Sequence, residues 1–286
     1  MPSISSPVSV EFFPHDSVKE NRFDLLTTPK HAKPVQNQGK VYLVGAGTGD
    51  PELLTIKAYK TILQADVICY DNLVSDEILA LNTTAEKIYV GKKCHKHSMS
   101  QQDINGLLVT LAQQGKTIVR LKSGDPFIFG RGGEEMQTVI SAGVACESIA
   151  GITTALAVAN SVNIPLTHRD YAQSVKFVTG FLKADTPNEQ YAELLADNQT
   201  VVFYMGLNTL PNLTQGLLQA GKSADTPFAI IANVSRPNEQ VLVGTLSTIQ
   251  ALQNDAKLPS PAVMIMGDVV SLYHQLNAPT LTYAAL

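Results

Sequence analysis

The sequence predicts an α/β protein built as two α/β domains, and three observations predict it. Strand-like apolar runs alternate with amphipathic helical stretches over most of the 286 residues, the pattern that builds parallel sheets covered by helices. Several runs end in glycine or aspartate, as in VYLVGAG, VICYD and RLKSGD, and open α/β sheets bind ligands outside the carboxyl ends of their strands. A second series of strand-like runs begins near residue 174 without repeating the first. That places a boundary near 169–174, giving domains of 39–170 and 171–286 with a ligand cleft expected between them.

The elements follow in order. Residues 1–38 hold prolines at 2, 7, 14, 29 and 34 and no sustained period, so they read as an arm. From Lys40 the apolar run VYLVGAG is a strand, and Asp50, Pro51 and Glu52 give an N-cap, first-turn proline and acid for a helix. Leu53, Leu54, Ile56, Tyr59, Ile62 and Leu63 continue it at helical spacing before the strand VICYD. Ser100 and Asp103 form a capping-box pair for a helix carrying Ile104, Leu107, Leu108 and Leu111, which stops at Gly115. The strand TIVRLKSGD follows, then a helix near 133–142, a short strand at VACESI and a helix over TTALAVANSV. In the second half SVKFVTG, TVVFYMG, PFAIIANV, QVLVGTL and AVMIMGD are strand-like, with helical segments between most of them.

Composition excludes several functions. Apolar residues make up 44% and charged residues 16% of the chain, far from the profile of disorder. No apolar run approaches the roughly 20 residues of a spanning helix, and the start lacks a basic flank before an apolar segment. Cys69, Cys94 and Cys146 are odd in number and widely spaced, so a reducing, cytoplasmic setting without membrane contact is expected. A net charge of −4 argues against nucleic-acid binding, which draws on a basic surface. A small-molecule partner is expected instead.

Four loops carry the candidate chemistry. Gly45-Ala46-Gly47-Thr48-Gly49-Asp50 is a glycine-rich turn after a first strand, but Asp50 stands where a dinucleotide fingerprint needs its third glycine. The second loop runs from Leu121 to Glu135. There Ser123 and Gly124 allow close backbone approach, Asp125 sits at a strand's end, and Arg131 lies among glycines. Gly151-Ile152-Thr153-Thr154 opens a helix, with Thr153 read as its N-cap. Pro165 to Asp170 brings His168 and Arg169 to the domain junction; with Arg131 and Lys176 they are candidates for an acidic substrate, and surface ion pairing is the plain alternative for each.

The blocks VGAGTGDPELLT, CYDNLVS, VGKKCHKHSMSQQDIN, RLKSGDPFIFGRGGEE, AGITTALA, IPLTHRDYAQSV and VFYMGL, in this order between about Lys40 and Leu276, resemble the uroporphyrinogen-III C-methyltransferases of the tetrapyrrole methylase family. The resemblance implies a homodimer of two-domain subunits that binds S-adenosylmethionine in the interdomain cleft. It implies two methylations of uroporphyrinogen III, through precorrin-1 to precorrin-2, with S-adenosylhomocysteine as by-product and no metal. Carried over by residue, it assigns Thr48, Ser123, Gly124, Asp125, Ile128, Thr153, Thr154, Met205 and the backbone of Val234 to the cofactor. Asp71 becomes the proton acceptor and Lys92 the proton donor. A substrate bearing acetates and propionates makes Arg131 the first choice among the basic candidates for substrate contact, with His168 and Arg169 beside it. Thr48, Ser123 and Ala150 depart from the family's usual proline, glycine and proline.

Rival readings remain. A nicotinamide oxidoreductase would use Asp71, roughly 20 residues past the glycine loop, on a ribose. A related methylase would act on later corrinoids, and a regulatory module would bind without turnover. Cys94-His95-Lys96-His97 lacks four chelators at metal spacing. A chain whose first 38 residues are too few for a dehydrogenase or chelatase domain is expected to carry neither, and its product could feed sirohaem or cobalamin.

Overall fold

The computed structural model describes residues 39–91, 99–180 and 191–278. The arm at 1–38 and the stretch holding Lys92, Cys94, His95 and His97 lie outside the described residues.

The first sheet comprises β1 (Lys40–Gly45), β2 (Val67–Tyr70), β3 (Glu86–Tyr89), β4 (Thr117–Lys122) and β5 (Ala145–Ile149), in the order β3-β2-β4-β1-β5. Every pairing is parallel, so all five carboxyl ends open on one edge. Helices cover both faces. On one face Ala58 and Ile62 of α1 (Ile56–Leu63) and Ile78 of α2 (Asp76–Ala80) pack on Val44, Ile68 and Val119. On the other, Ile104, Leu108 and Leu111 of α3 (Gln101–Gln113) and Val139 of α4 (Gly132–Ser141) pack on Val41, Leu43 and Ile118. The predicted capping box forms, with Ser100 and Asp103 each bonding the other's backbone N–H.

The helix expected at Pro51 breaks in two. Asp50 caps only a 3₁₀ turn over Pro51–Leu53, accepting from the Glu52 N–H at 2.8 Å. Thr55 then caps α1 afresh through the Ala58 N–H. The glycine loop therefore leads into a single 3₁₀ turn and does not open an α-helix, unlike the phosphate-binding loop of a dinucleotide fold.

The second sheet comprises β6 (Ser174–Thr179), β7 (Gln199–Tyr204), β8 (Pro227–Ala232), β9 (Gln240–Thr245) and β10 (Ala262–Met266), in the order β6-β7-β10-β8-β9. The expected alternation overstates its parallel character: β6 and β7 pair parallel, whereas β7–β10, β10–β8 and β8–β9 are antiparallel. One face packs on α6 (Leu210–Gln219) and α7 (Ile249–Ala256) through Leu210, Leu213, Leu217 and Ile249. The other receives Ala155 and Val158 of α5 (Thr154–Ser161), which cluster with Val202, Ala229, Ile231 and Val263. Helix α5 precedes residue 170 in sequence yet shares the second sheet's core, so the third loop joins the two sheets. Among the described residues no helix is long and apolar enough to cross a membrane.

Candidate active site

The carboxyl ends of β1 and β4 lie in register, Gly45 beside Lys122, so the first two loops leave the sheet together. Gly124 N–H donates to the Gly47 carbonyl at 2.7 Å and Gly47 N–H returns to the Gly124 carbonyl at 3.2 Å. Both glycines are left-handed, with φ of 63° and 68°, a conformation that costs glycine nothing. Asp125 fastens the third loop to the second: its Oδ1 accepts from Phe127 N–H at 2.9 Å and its Oδ2 from Gly151 N–H at 3.1 Å. The approach is close enough that a Cβ on Gly45 would stand 2.5 Å from the Gly151 backbone. Gly45→Ala is therefore expected to destabilise the protein by about 1–3 kcal/mol through overpacking, read as a lower thermal midpoint; an unchanged midpoint would mean the loops part freely.

Thr153 occupies the N-cap position of α5, but its side chain makes no cap hydrogen bond. Its hydroxyl lies 2.8 Å from the Tyr204 phenol oxygen, which also accepts from Ala155 N–H at 3.0 Å. The N-cap reading is thus corrected: the hydroxyl braces a tyrosine 51 residues away. Burial pushes the Tyr204 phenol pKa up, partly offset by these two hydrogen bonds. The ring packs against Phe129 and Phe177, with centroids at 4.9 and 6.0 Å.

A cleft of about 470 Å³ opens where these loops meet the second sheet, and Thr48, Ser123, Thr154, Met205 and Val234 line it. Thr48 hydroxyl donates to Ser235 Oγ at 2.8 Å, tying the first loop to the turn after β8. Of the other residues assigned to the cofactor, Gly124 and Asp125 shape the second loop, Thr153 braces Tyr204, and Ile128 follows with its N–H on the Asp125 carbonyl at 3.3 Å. The sequence reading missed Asn72, Leu73, Tyr204, Asn208 and Arg236 on the wall. Positive φ gathers at this edge without glycine: Phe129, Arg131, Met205, Asn233 and Ser235 lie between 51° and 60°. Such residues persist where surrounding structure over-determines them.

Asp71 follows β2 and turns the chain into the cleft wall at Asn72 and Leu73. Its Oδ1 accepts from Leu73 N–H at 3.1 Å, and its Oδ2 lies 3.6 Å from Arg120 Nη2. Behind it sits a buried ionic cluster. Glu135, fully buried, takes Arg120 Nε at 3.3 Å, Lys122 Nζ at 3.0 Å and Gln101 Nε2 at 3.1 Å on one oxygen. Arg120 Nη1 also donates to the carbonyls of Leu121 and Cys69, at 2.9 and 3.4 Å. Burial, and then Arg120, depress the Lys122 pKa. Burial pushes the Cys69 thiol to about 12, which removes it as a nucleophile.

The three residues expected to meet the substrate are not on the cleft wall. Arg131 precedes α4, half exposed, and pairs through Nε and Nη2 with both oxygens of Glu134. His168 stacks edge-on against Tyr171 and lies 3.9 Å from Asp170, and the Arg169 carbonyl accepts from Gln173. Lys176 pairs with Glu193. Lys92 lies outside the described residues. No cluster of metal ligands occurs among the described residues.

Residues 40–250 match the family described as Tetrapyrrole (Corrin/Porphyrin) Methylases. A siroheme synthase of Psychrobacter cryohalolentis is 55% identical over 250 residues, covering 87% of this chain and 48% of that protein. The chain thus spans about half the length of this curated relative. A solved uroporphyrin-III-C-methyltransferase from Thermus thermophilus superposes with a TM-score of 0.72 at 38% identity, covering 84% of this chain and 99% of that one. A second, complexed with S-adenyl homocysteine, gives 0.70 at 38% identity over 82% of this chain and 100% of its own.

Proposed function

The chain belongs to the tetrapyrrole (corrin/porphyrin) methylases, and from that premise we propose that it transfers methyl groups from S-adenosylmethionine to two ring carbons of uroporphyrinogen III. Precorrin-1 and then precorrin-2 are the products, with S-adenosylhomocysteine released at each step. The observation that carries this reading is the convergence of Thr48, Ser123, Thr154, Met205 and Val234 on one cleft. All five were assigned to the cofactor, and they come from separate stretches of the chain. Two solved structures bear on the chemistry: the Thermus enzyme named for uroporphyrin III and its complex with S-adenyl homocysteine.

The wall fits such a cofactor. About 470 Å³ lies within the range of small-molecule sites, and the lining mixes apolar Met205, Leu207, Val234 and Val263 with a few hydroxyls. Gly124, left-handed beside Thr153, keeps the loop free of a Cβ. Bound there, the cofactor supplies an electrophilic methyl carried on a sulfonium. Such a displacement asks the protein for alignment more than for strong acids or bases, in keeping with a wall holding a single charged side chain, Arg236, among its described residues. Asp71 accepts the proton lost as the methylated macrocycle rearranges, and Lys92 donates one. Thr153 holds the Tyr204 ring against Phe129, fixing the cleft's floor. The subunit acts as a cytoplasmic homodimer of two domains, 39–170 and 171–286.

The reading is tested by incubating the protein with uroporphyrinogen III and S-adenosylmethionine and weighing the product; a gain of two methyl groups supports it, and an unchanged mass overturns it. Arg131 supplies a finer check, because a substrate bearing acetates and propionates can replace Glu134 on its guanidinium. Arg131→Leu is expected to raise KM for uroporphyrinogen III about tenfold while leaving affinity for S-adenosylhomocysteine unchanged, the worth of one charge-assisted contact. Loss of the cofactor with substrate affinity kept would reverse the assignment.

A further inference from the structure

We infer that Arg236 is the carboxylate-binding residue of the cleft, a role that rests on the methyl-transfer reading. It sits in the turn after β8, within the stretch NVSRPNEQ, which carries no motif that would single it out. Three observations point to it. It is the only charged side chain among the described residues lining the cleft, whereas the cations chosen from sequence are engaged or lie elsewhere. One guanidinium nitrogen, Nη2, is fixed by the Leu73 carbonyl at 2.9 Å, so the group is held in place on the wall. No carboxylate among the described residues forms an ion pair with it.

A tethered but unpaired guanidinium keeps donors in a planar fork suited to a carboxylate. The side from which that carboxylate comes is also set. Arg236 borders a second, polar groove that holds Asp50, Asp76, Glu77 and Glu239, and four acids repel an anion there. The ligand's carboxylate therefore meets Arg236 from the cleft. Both reactants carry one: the methyl donor has an α-carboxylate, and the tetrapyrrole has acetates and propionates.

Calorimetric titration of the full chain and of Arg236→Gln separates the sources, using S-adenosylhomocysteine, 5′-methylthioadenosine, which lacks the amino-acid carboxylate, and uroporphyrin III. If the donor's carboxylate binds Arg236, the variant loses about tenfold or more in affinity for S-adenosylhomocysteine and none for 5′-methylthioadenosine. If a tetrapyrrole carboxylate binds it, uroporphyrin III weakens by a similar factor and both nucleosides bind as before. Arg236→Lys, which keeps the charge without the fork, is expected to recover part of the loss. Unchanged binding of all three overturns the inference. So does equal weakening of both nucleosides, which would mean that Arg236 only props Leu73. Failure of the unaltered chain to bind any of the three would instead overturn the methyl-transfer reading.

Discussion

Glu135→Ala is expected to destabilise the protein by about 3–5 kcal/mol, the cost of leaving buried charge uncompensated. Glu135 is fully buried, and one oxygen accepts from Arg120, Lys122 and Gln101. Arg120 and Lys122 are 4% exposed, so neither can turn to water when the carboxylate is gone. Asp71, at 3.6 Å from Arg120 alone, compensates one of the two cations poorly. Replacing Arg120, Lys122 and Glu135 together with apolar residues of similar volume should restore most of the loss, because a buried ionic group contributes little over well-packed apolar side chains. The measurement is denaturant unfolding of the two variants beside the parent. A loss under about 1 kcal/mol in Glu135→Ala would mean that the cations reach solvent after all.

The same cluster shows what the sequence revealed and what it hid. Arg120 and Lys122 interrupt the otherwise apolar run TIVRLK, and Glu135 falls on the inward face of α4 with Val139. Two cations in a central strand call for a buried partner, a signal that was present and passed over. The first sheet was legible because helices separate its strands and force parallel crossovers. Strand direction in the second sheet was not. Apolar runs of similar length serve either direction, and residues 233–239 join β8 to β9 without a helix. At the site, glycines and acids at strand ends marked the loops. Tyr204 and Arg236 escaped because their roles depend on partners far along the chain, Thr153 for the first and Leu73 for the second. Thr153 reads locally as a cap, and only the fold brings Tyr204 to its hydroxyl.

Asp71→Asn is expected to reduce methyl transfer by roughly 10²-fold or more while leaving affinity for S-adenosylhomocysteine nearly intact, the signature of a lost general base. Three roles compete for this carboxylate, and they demand different things. As a turn-former it needs only the Leu73 N–H on Oδ1 at 3.1 Å, which an asparagine oxygen accepts equally, so turnover would stay within a few-fold. As a ribose ligand it would chiefly raise the dissociation constant of the nucleoside. As a base it must be a carboxylate, held where a proton leaves the macrocycle. The expected result is the one the last role demands. Arg120, itself buried, sets Nη2 at 3.6 Å from Oδ2 while its other nitrogens are committed to Glu135, Cys69 and Leu121. Single-turnover methylation beside calorimetric binding separates the three. Near-normal turnover in the variant would remove Asp71 from the chemistry and leave methyl transfer to alignment by the cleft alone.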